Sequence, residues 1–228
     1  MKKIGIVIAD SDEFLPLEHK MGQLGGREIK VCSRKAYEFS IGDALVIAVL
    51  CGIGKVNAAV AATALAEQGV DILLNCGLSG GISGVGRGEL TVPDRFLEHD
   101  FDLTGLGYKR CEKPSQEYIY DADKTLLEQF KSVCPGVKTG TAVSGDCFVS
   151  NQKLRDELKT KFSAMSCDME TAAIAYVAAA YGIKFASLRK ISDDAGNDAV
   201  DDYKQLNELA EDVLIVAILR VIKEYYSK

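Results

Sequence analysis

Phe185-Ala-Ser-Leu-Arg-Lys-Ile-Ser-Asp-Asp194 opens as an apolar strand and then delivers Arg189, Ser192, Asp193 and Asp194 where the hydrophobic run stops. In an open α/β sheet, ligands bind outside the carboxyl ends of the strands, so a strand that runs out into acids is a place for chemistry. The plainer reading is that Ser192 or Asp194 caps the helix or turn that follows. Segments elsewhere in the chain decide between the two.

Working outward, residues 3–9 (KIGIVIA) form a continuous β-branched run of the kind that suits a strand covered on both faces. Residues 29–33, 36–40 and 44–50 read as three further strands, and an Ala-rich helix is expected from about Val56 to Gln68, ending at Gly69. A buried strand at 71–75 leads into a glycine-dense loop, 76–88, and strand signals resume at 89–92 and 95–98. The polar and aromatic stretch 99–120 has the length of a functional or interface loop. Beyond it the pattern predicts a helix at 121–132, a strand at 137–143, and helices at 151–162, 168–181 and 203–226. This alternation argues an α/β fold: one domain over residues 1–228, with a mixed, largely parallel central sheet flanked by helices.

Composition narrows the partners. A net charge of −6 gives no basic footprint, which argues against a nucleic-acid polymer while leaving a small nucleotide or nucleoside open. The seven cysteines are never closer than thirteen residues apart and form no CxxC pair, so neither a disulfide framework nor a metal site is indicated. They read as small buried hydrophobes in a reducing compartment, and a cytoplasmic protein is expected. The apolar start ends at Ala9, before Asp10, Asp12 and Glu13, too short for a secretory segment; Val213–Leu219 is too short to span a bilayer.

Polar loops follow four of the expected strands: Asp10–Glu13, the glycine loop, Ser144–Phe148 and Arg189–Asp194. With parallel strands they converge on one edge. A fifth set, Asp168-Met-Glu170, sits at a helix N-terminus, where the dipole alone accounts for acids. The glycine loop lacks a GxGxxG, and Cys51-Gly-Ile-Gly-Lys55 lacks the Walker spacing, so the glycines are read as letting backbone approach a small ligand. With two histidines and no Ser/His/Asp ordering, the candidate acid/base groups are carboxylates, Glu13, Glu170 and Asp193. Three such groups can divide the labour of cleaving a glycosidic bond to a base, provided burial sets their pKa values apart.

The motifs KIGIVIAD..E, CGIGKVNAA, NCGLSGG, HDFDLTGLGY, VSGDCF, DMETAAIA and RKISDDA, in this order and spacing, resemble the nucleoside phosphorylase and nucleosidase superfamily. The likeness is greatest to the 5′-methylthioadenosine/S-adenosylhomocysteine nucleosidases. It implies that Asp193 is the acid at purine N7 and that Glu13 activates the attacking water. It also implies that Glu170 and Met169 meet the ribose, that Phe148 stacks on adenine, and that the Val149 backbone reads the base edge. Arg189 and Ser192 would support the ribose side and the acid, Ser79 and Gly80 would border the ligand, and Ile53 and Tyr203 would line the 5′ pocket. Leu103, Leu106 and Tyr108 match a stretch that reaches a neighbouring subunit, implying a homodimer; no cofactor is implied. Asp10, Leu78 and Leu106 depart from the family pattern, and Asp10 bears on the 5′ group because an apolar residue usually stands there.

The superfamily divides by nucleophile. Phosphorylases place arginines around phosphate, one just before the glycine loop, where this chain has Asn75. Water is therefore the expected attacker, with Arg34 and Arg87 keeping a phosphate-dependent reaction as the alternative. A binding protein that lost turnover is a second alternative, opposed by the retention of all three acids.

Overall fold

The computed structural model describes residues 2–207 and 213–226. Its centre is β1 (Lys2–Ile8), parallel to both β4 (Ala44–Leu50) and β5 (Ile72–Gly81). Because strand side chains alternate between faces, Ile4, Ile6 and Ile8 pack into one core layer with α4 (Lys124–Val133) and α8 (Val213–Tyr226). Val7 joins the opposite layer beneath α3 (Lys55–Glu67) and α6 (Thr171–Tyr181). A strand flanked on both faces can be apolar along its covered length, as this one is from Ile4 to Ile8.

Among the described residues the strands make one eleven-stranded mixed sheet. β2 (Arg27–Val31) and β3 (Arg34–Ile41) extend it antiparallel beyond β4. On the other side β11 (Lys184–Asp193) runs parallel to β5 along its length and carries the short β6 (Leu90–Thr91). The tip of β5, Gly80 and Gly81, pairs antiparallel with β10 (Ala164–Asp168). From there β9 (Thr141–Ser144) and β7 (Arg95–Glu98) follow in parallel, with β8 (Ile119–Asp121) at the margin. The remaining helices are α1 (Ser11–Glu18), α2 (Met21–Leu24), α5 (Gln152–Phe162) and α7 (Ala199–Asn207). No helix among the described residues is long and apolar enough to cross a membrane.

Several expectations shift. The glycine loop 76–88 begins as strand, since β5 continues to Gly81 with ladder partners on β11 from Arg189 opposite Gly77 to Asp193 opposite Gly80. The Asp10–Glu13 loop is instead the cap and first turn of α1. The helix read from Asp168 starts at Thr171, because residues 164–168 form a strand. The strand expected at 137–143 starts at Thr141, and a short strand, β8, lies within the stretch read as irregular. The closing helix read over 203–226 is two helices, and residues 208–212 lie outside the described residues. Cys32 and Cys147 are exposed, unlike the other five free cysteines.

Candidate active site

The ends of β1, β5, β9, β10 and β11 open onto one cavity of about 550 Å³. Glu13, Glu170 and Asp193, far apart in the chain, all line it, as do Ile53, Ser79, Gly80, Phe148, Val149, Met169, Arg189, Ser192 and Tyr203. Leu103, Leu106 and Tyr108 do not. Leu106 and Tyr108 are exposed at 74% and 39%, beside a 3-10 turn over Thr104–Leu106.

Helix α1 aims Glu13 into the cavity because Asp10 caps its N-terminus, accepting the Asp12 N–H at 2.8 Å. Glu13 in turn accepts the backbone N–H of Leu78 at 2.6 Å. Burial pushes its pKa up to about 7, against the opposing pull of Arg189. The two side chains converge over Gly77, where a Cβ would stand 2.8 Å from both Glu13 carboxylate oxygens and 2.9 Å from Arg189 Nη1. This glycine of the expected ligand-cradling loop is thus required by two side chains.

Arg189 is 2% exposed and is held by the sheet itself. Its Nε donates to Ser79 Oγ at 2.9 Å, Nη1 to Asn75 Oδ1 at 3.1 Å and Nη2 to the Leu78 carbonyl. Asp168 and Glu170 each approach it to 3.8 Å. Asn75 is fully buried and is a junction. It donates to the Val7 carbonyl and accepts from the hydroxyls of Thr171 and Ser187 as well as from Arg189.

Asp193 ends β11 at 1% exposure. Its Oδ1 accepts the N–H of Ala195 at 2.8 Å, and its Oδ2 lies 2.6 Å from the Ser192 hydroxyl, which also faces the Ser79 carbonyl at 3.2 Å. Ala195 closes this turn with φ +54°, a left-handed conformation that costs a non-glycine residue about 1 kcal/mol. Burial raises the Asp193 pKa although the bonds from Ser192 and Ala195 oppose it. Asp194, by contrast, points outward and caps a turn through the Gly196 N–H at 2.8 Å. The capping reading therefore holds for Asp194, while Asp193 faces the cavity.

Asp168 organises the N-terminus of α6. Its Oδ1 accepts the Ser144 hydroxyl at 2.6 Å and the N–H groups of Glu170 and Thr171 at 3.0 Å each. Those bonds fix the turn from which Glu170 enters the cavity, and Glu170 accepts the Gly54 N–H at 2.9 Å. Burial raises the Glu170 pKa, with Arg189 opposing. Phe148 and Tyr203 meet edge to face at 5.7 Å, with Val149 buried beside them. Asp10 and Lys204 also border the cavity and carry opposite charges.

Arg34 and Arg87 stand apart from the cavity: Arg34 donates to Asn57 at 2.6 Å and Arg87 pairs with Asp202 at 2.9 Å. Cys167 and Lys204 line the cavity without having been singled out from sequence, and Asp168 and Cys147 line it from polar sets that were noted without a role for either residue. Ser144 and Asp168 were both visible in motifs, but the β10 strand that unites them was not. Among the described residues no group of three or more His, Cys, Asp or Glu side chains is placed to hold a metal ion.

The chain is similar to known proteins along almost its whole length. A family model described as Phosphorylase superfamily matches residues 3–223. A 5′-methylthioadenosine/S-adenosylhomocysteine nucleosidase of Staphylococcus aureus (strain MRSA252) is 32% identical over 214 residues, covering 91% of this chain and 93% of the relative. The S-adenosylhomocysteine nucleosidase from Streptococcus pyogenes, solved in complex with 5-methylthiotubericidin, is similar with a TM-score of 0.90 at 31% identity, covering 98% of this chain and 97% of that one. The 5′-methylthioadenosine/S-adenosylhomocysteine nucleosidase from S. pneumoniae, solved with the transition-state inhibitor MT-ImmA, gives 0.88 at 28%, covering 97% and 98%.

Proposed function

The chain belongs to the phosphorylase superfamily, and on that premise we propose that it hydrolyses the N-glycosidic bond of a 5′-substituted adenosine, methylthioadenosine or S-adenosylhomocysteine. The products are adenine and the free ribose derivative, the latter methylthioribose when the substituent is methylthio, which gives the enzyme a place in methionine salvage. The observation that carries the reading is three carboxylates from three separate elements lining one cavity.

In this mechanism Asp193 donates a proton to purine N7, so the base leaves as a neutral molecule when the C1′–N9 bond breaks. Glu170 holds the ribose hydroxyls, with Met169 against the sugar, as positive charge develops on the ring. Glu13 takes a proton from the water that attacks C1′. Raised pKa values suit this division: burial favours the protonated form of Asp193, and it leaves Glu13 a base close to neutrality. Phe148 stacks on adenine, the Val149 backbone reads its edge, and Ile53 and Tyr203 enclose the 5′ group.

The choice of water over phosphate is supported by charge. Among the described residues Arg189 is the one guanidinium lining the cavity, and its donors are already directed to Ser79, Asn75 and Leu78. An incoming phosphate would face Glu13 and Asp10 without a free bidentate partner. Assembly as a homodimer is part of the proposal. Val56 and Val60, one turn apart on α3, are exposed at 74% and 49%, and with Ile53 and Leu106 they give a second copy an apolar surface to cover. A cytoplasmic location fits the seven free cysteines.

The test is a nucleoside panel assayed with and without phosphate, with base and sugar products identified. Adenine release in phosphate-free buffer, with free sugar as co-product, is expected; a strict phosphate requirement yielding a sugar phosphate sinks the hydrolytic reading. Asp193→Asn is expected to abolish adenine release while largely sparing nucleoside binding. Full activity in that variant removes Asp193 as the proton donor.

A further inference from the structure

Two cavity-lining loops and the exposed segment that begins at Asp100 are tied together by a closed ring of hydrogen bonds that touches none of the proposed catalytic acids. The Lys55 backbone N–H, at the start of α3, donates to Asp146 Oδ1 at 2.8 Å. The Asp146 N–H donates to Asp100 Oδ2 at 2.9 Å. Lys55 Nζ closes the ring onto Asp100 Oδ1 at 2.6 Å and also reaches Glu98 Oε2 at 2.8 Å. Lys113 pairs with Glu98 from the other side, so two lysines face three acids, Glu98, Asp100 and Asp146. Lys55 and Glu98 are only 17% and 18% exposed, so water screens this group less than a surface pair.

Each loop in the ring leads directly to a cavity residue or to the exposed segment. Gly54, next to Lys55, donates to Glu170, and Ile53 precedes it. Asp146 stands two residues before Phe148 and three before Val149. Asp100 opens the segment that carries Leu103, Leu106 and Tyr108. Helix α3 has Gly54 at its N-cap with no side-chain bond there, so Asp146 supplies the cap from a different loop. Behind the ring the His99 imidazole, 2% exposed, fills the space over Gly145 so closely that no Cβ fits there. The base-side loop is thereby pressed from one face and tethered from the other.

We propose that Lys55, Asp100 and Asp146 are positioning residues for nucleoside binding, a three-point tether that holds the Phe148 loop in register with the Gly54 loop so that base and ribose are gripped together. The inference rests on the reading of the cavity as a nucleoside site. It separates affinity from chemistry: Glu13 and Asp193 are oriented by Leu78, Ser192 and Ala195, outside the ring.

The experiment measures adenine binding by calorimetry alongside steady-state kinetics on methylthioadenosine. Lys55→Met is expected to raise both KM and the adenine dissociation constant about tenfold, with kcat within about threefold of the parent. Lys55→Arg, whose guanidinium still bridges two carboxylates, is expected to restore both to within about threefold. Because the Lys55 ammonium and the Asp100 carboxylate make one bond, Lys55→Met combined with Asp100→Asn is expected to cost no more than the larger single effect. Asp100→Asn, which keeps size and one acceptor, serves if Lys55→Met does not fold, with an expected rise of about threefold. Unchanged adenine affinity in a folded variant overturns the proposal, as does a fall in kcat at constant KM. If the parent protein itself fails to bind adenine, the nucleoside reading falls and this inference with it.

Discussion

Glu13 carries the sharpest consequence of any single residue. Its pKa is pushed up to about 7 by burial, and as the base for water it works only when ionised. The profile of kcat/KM, which reports the acid and base of the free enzyme, is therefore expected to have a rising limb as Glu13 ionises toward about pH 7 and a falling limb where Asp193 loses its proton; the absence of a rising limb excludes Glu13 as that base. Asp10 bears on which nucleoside is preferred. A bare methylthio group gains nothing from the carboxylate of Asp10 or the ammonium of Lys204, whereas a homocysteine tail carries an ammonium and a carboxylate to match them. Asp10→Asn keeps the cap acceptor that positions α1 while removing the charge. It is expected to lower kcat/KM for S-adenosylhomocysteine relative to methylthioadenosine about fivefold, the equivalent of about 1 kcal/mol for a partly exposed ion pair. An unchanged ratio removes Asp10 from substrate selection.

At the level of strands and helices, the tip of β5 is where sequence and structure part most instructively. Its glycines were read as room for a ligand, but Gly77 leaves room for Glu13 and Arg189 instead. Gly77→Ala is expected to drive those side chains apart and cut kcat/KM on the order of 10²-fold, the scale of a 1 Å misplacement. Gly22→Ala, where a Cβ meets nothing within 4 Å, is the control, with activity unchanged. The apolar strands β1 and β4 and the small-residue helix α3 were legible because length, β-branching and end signals agreed. Strand β10 was not, because Ala164-Met-Ser-Cys-Asp168 has no β-branched residue and runs almost directly into a helix. Missing it made Asp168 look like a dipole-stabilised acid at a helix start, when it is the end of a strand whose carboxylate sets the turn to Glu170. Likewise Asp10 and Glu13 were legible as acids after a strand, but the helix that Asp10 caps and Glu13 belongs to was hidden by Pro16 inside it.

For the whole molecule, the site acids set stability against function. A carboxyl whose folded pKa lies above its unfolded value binds more protons in the fold, so stability falls as pH rises between the two values. For Glu13 that window runs from 4.5 to about 7, and Glu170 and Asp193 act in the same direction. His99, whose pKa burial lowers, has the opposite sign: the fold keeps it neutral, and stability is lost as pH falls below its ordinary value of 6.5. Glu13→Gln isolates one contribution. Its thermal midpoint is expected to exceed that of the parent by a margin that widens from about pH 5 to about pH 7.5; a constant margin means that Glu13 is ionised in the fold throughout. Motifs spread along the whole chain made the architecture legible. The ring through Lys55 was not, because its members lie in three motifs that sequence spacing cannot relate.

Asn75 also limits what mutation can reach. The resemblance implies an arginine at this point in superfamily members that use phosphate, yet here the position faces inward, and one uncharged amide ties together β1, α6 and two neighbours on β11. Exchanging it for arginine would strand a second guanidinium beside Arg189 and sever those four bonds at once. A switch from water to phosphate by that lone substitution is therefore closed to this protein; the junction would have to be rebuilt first.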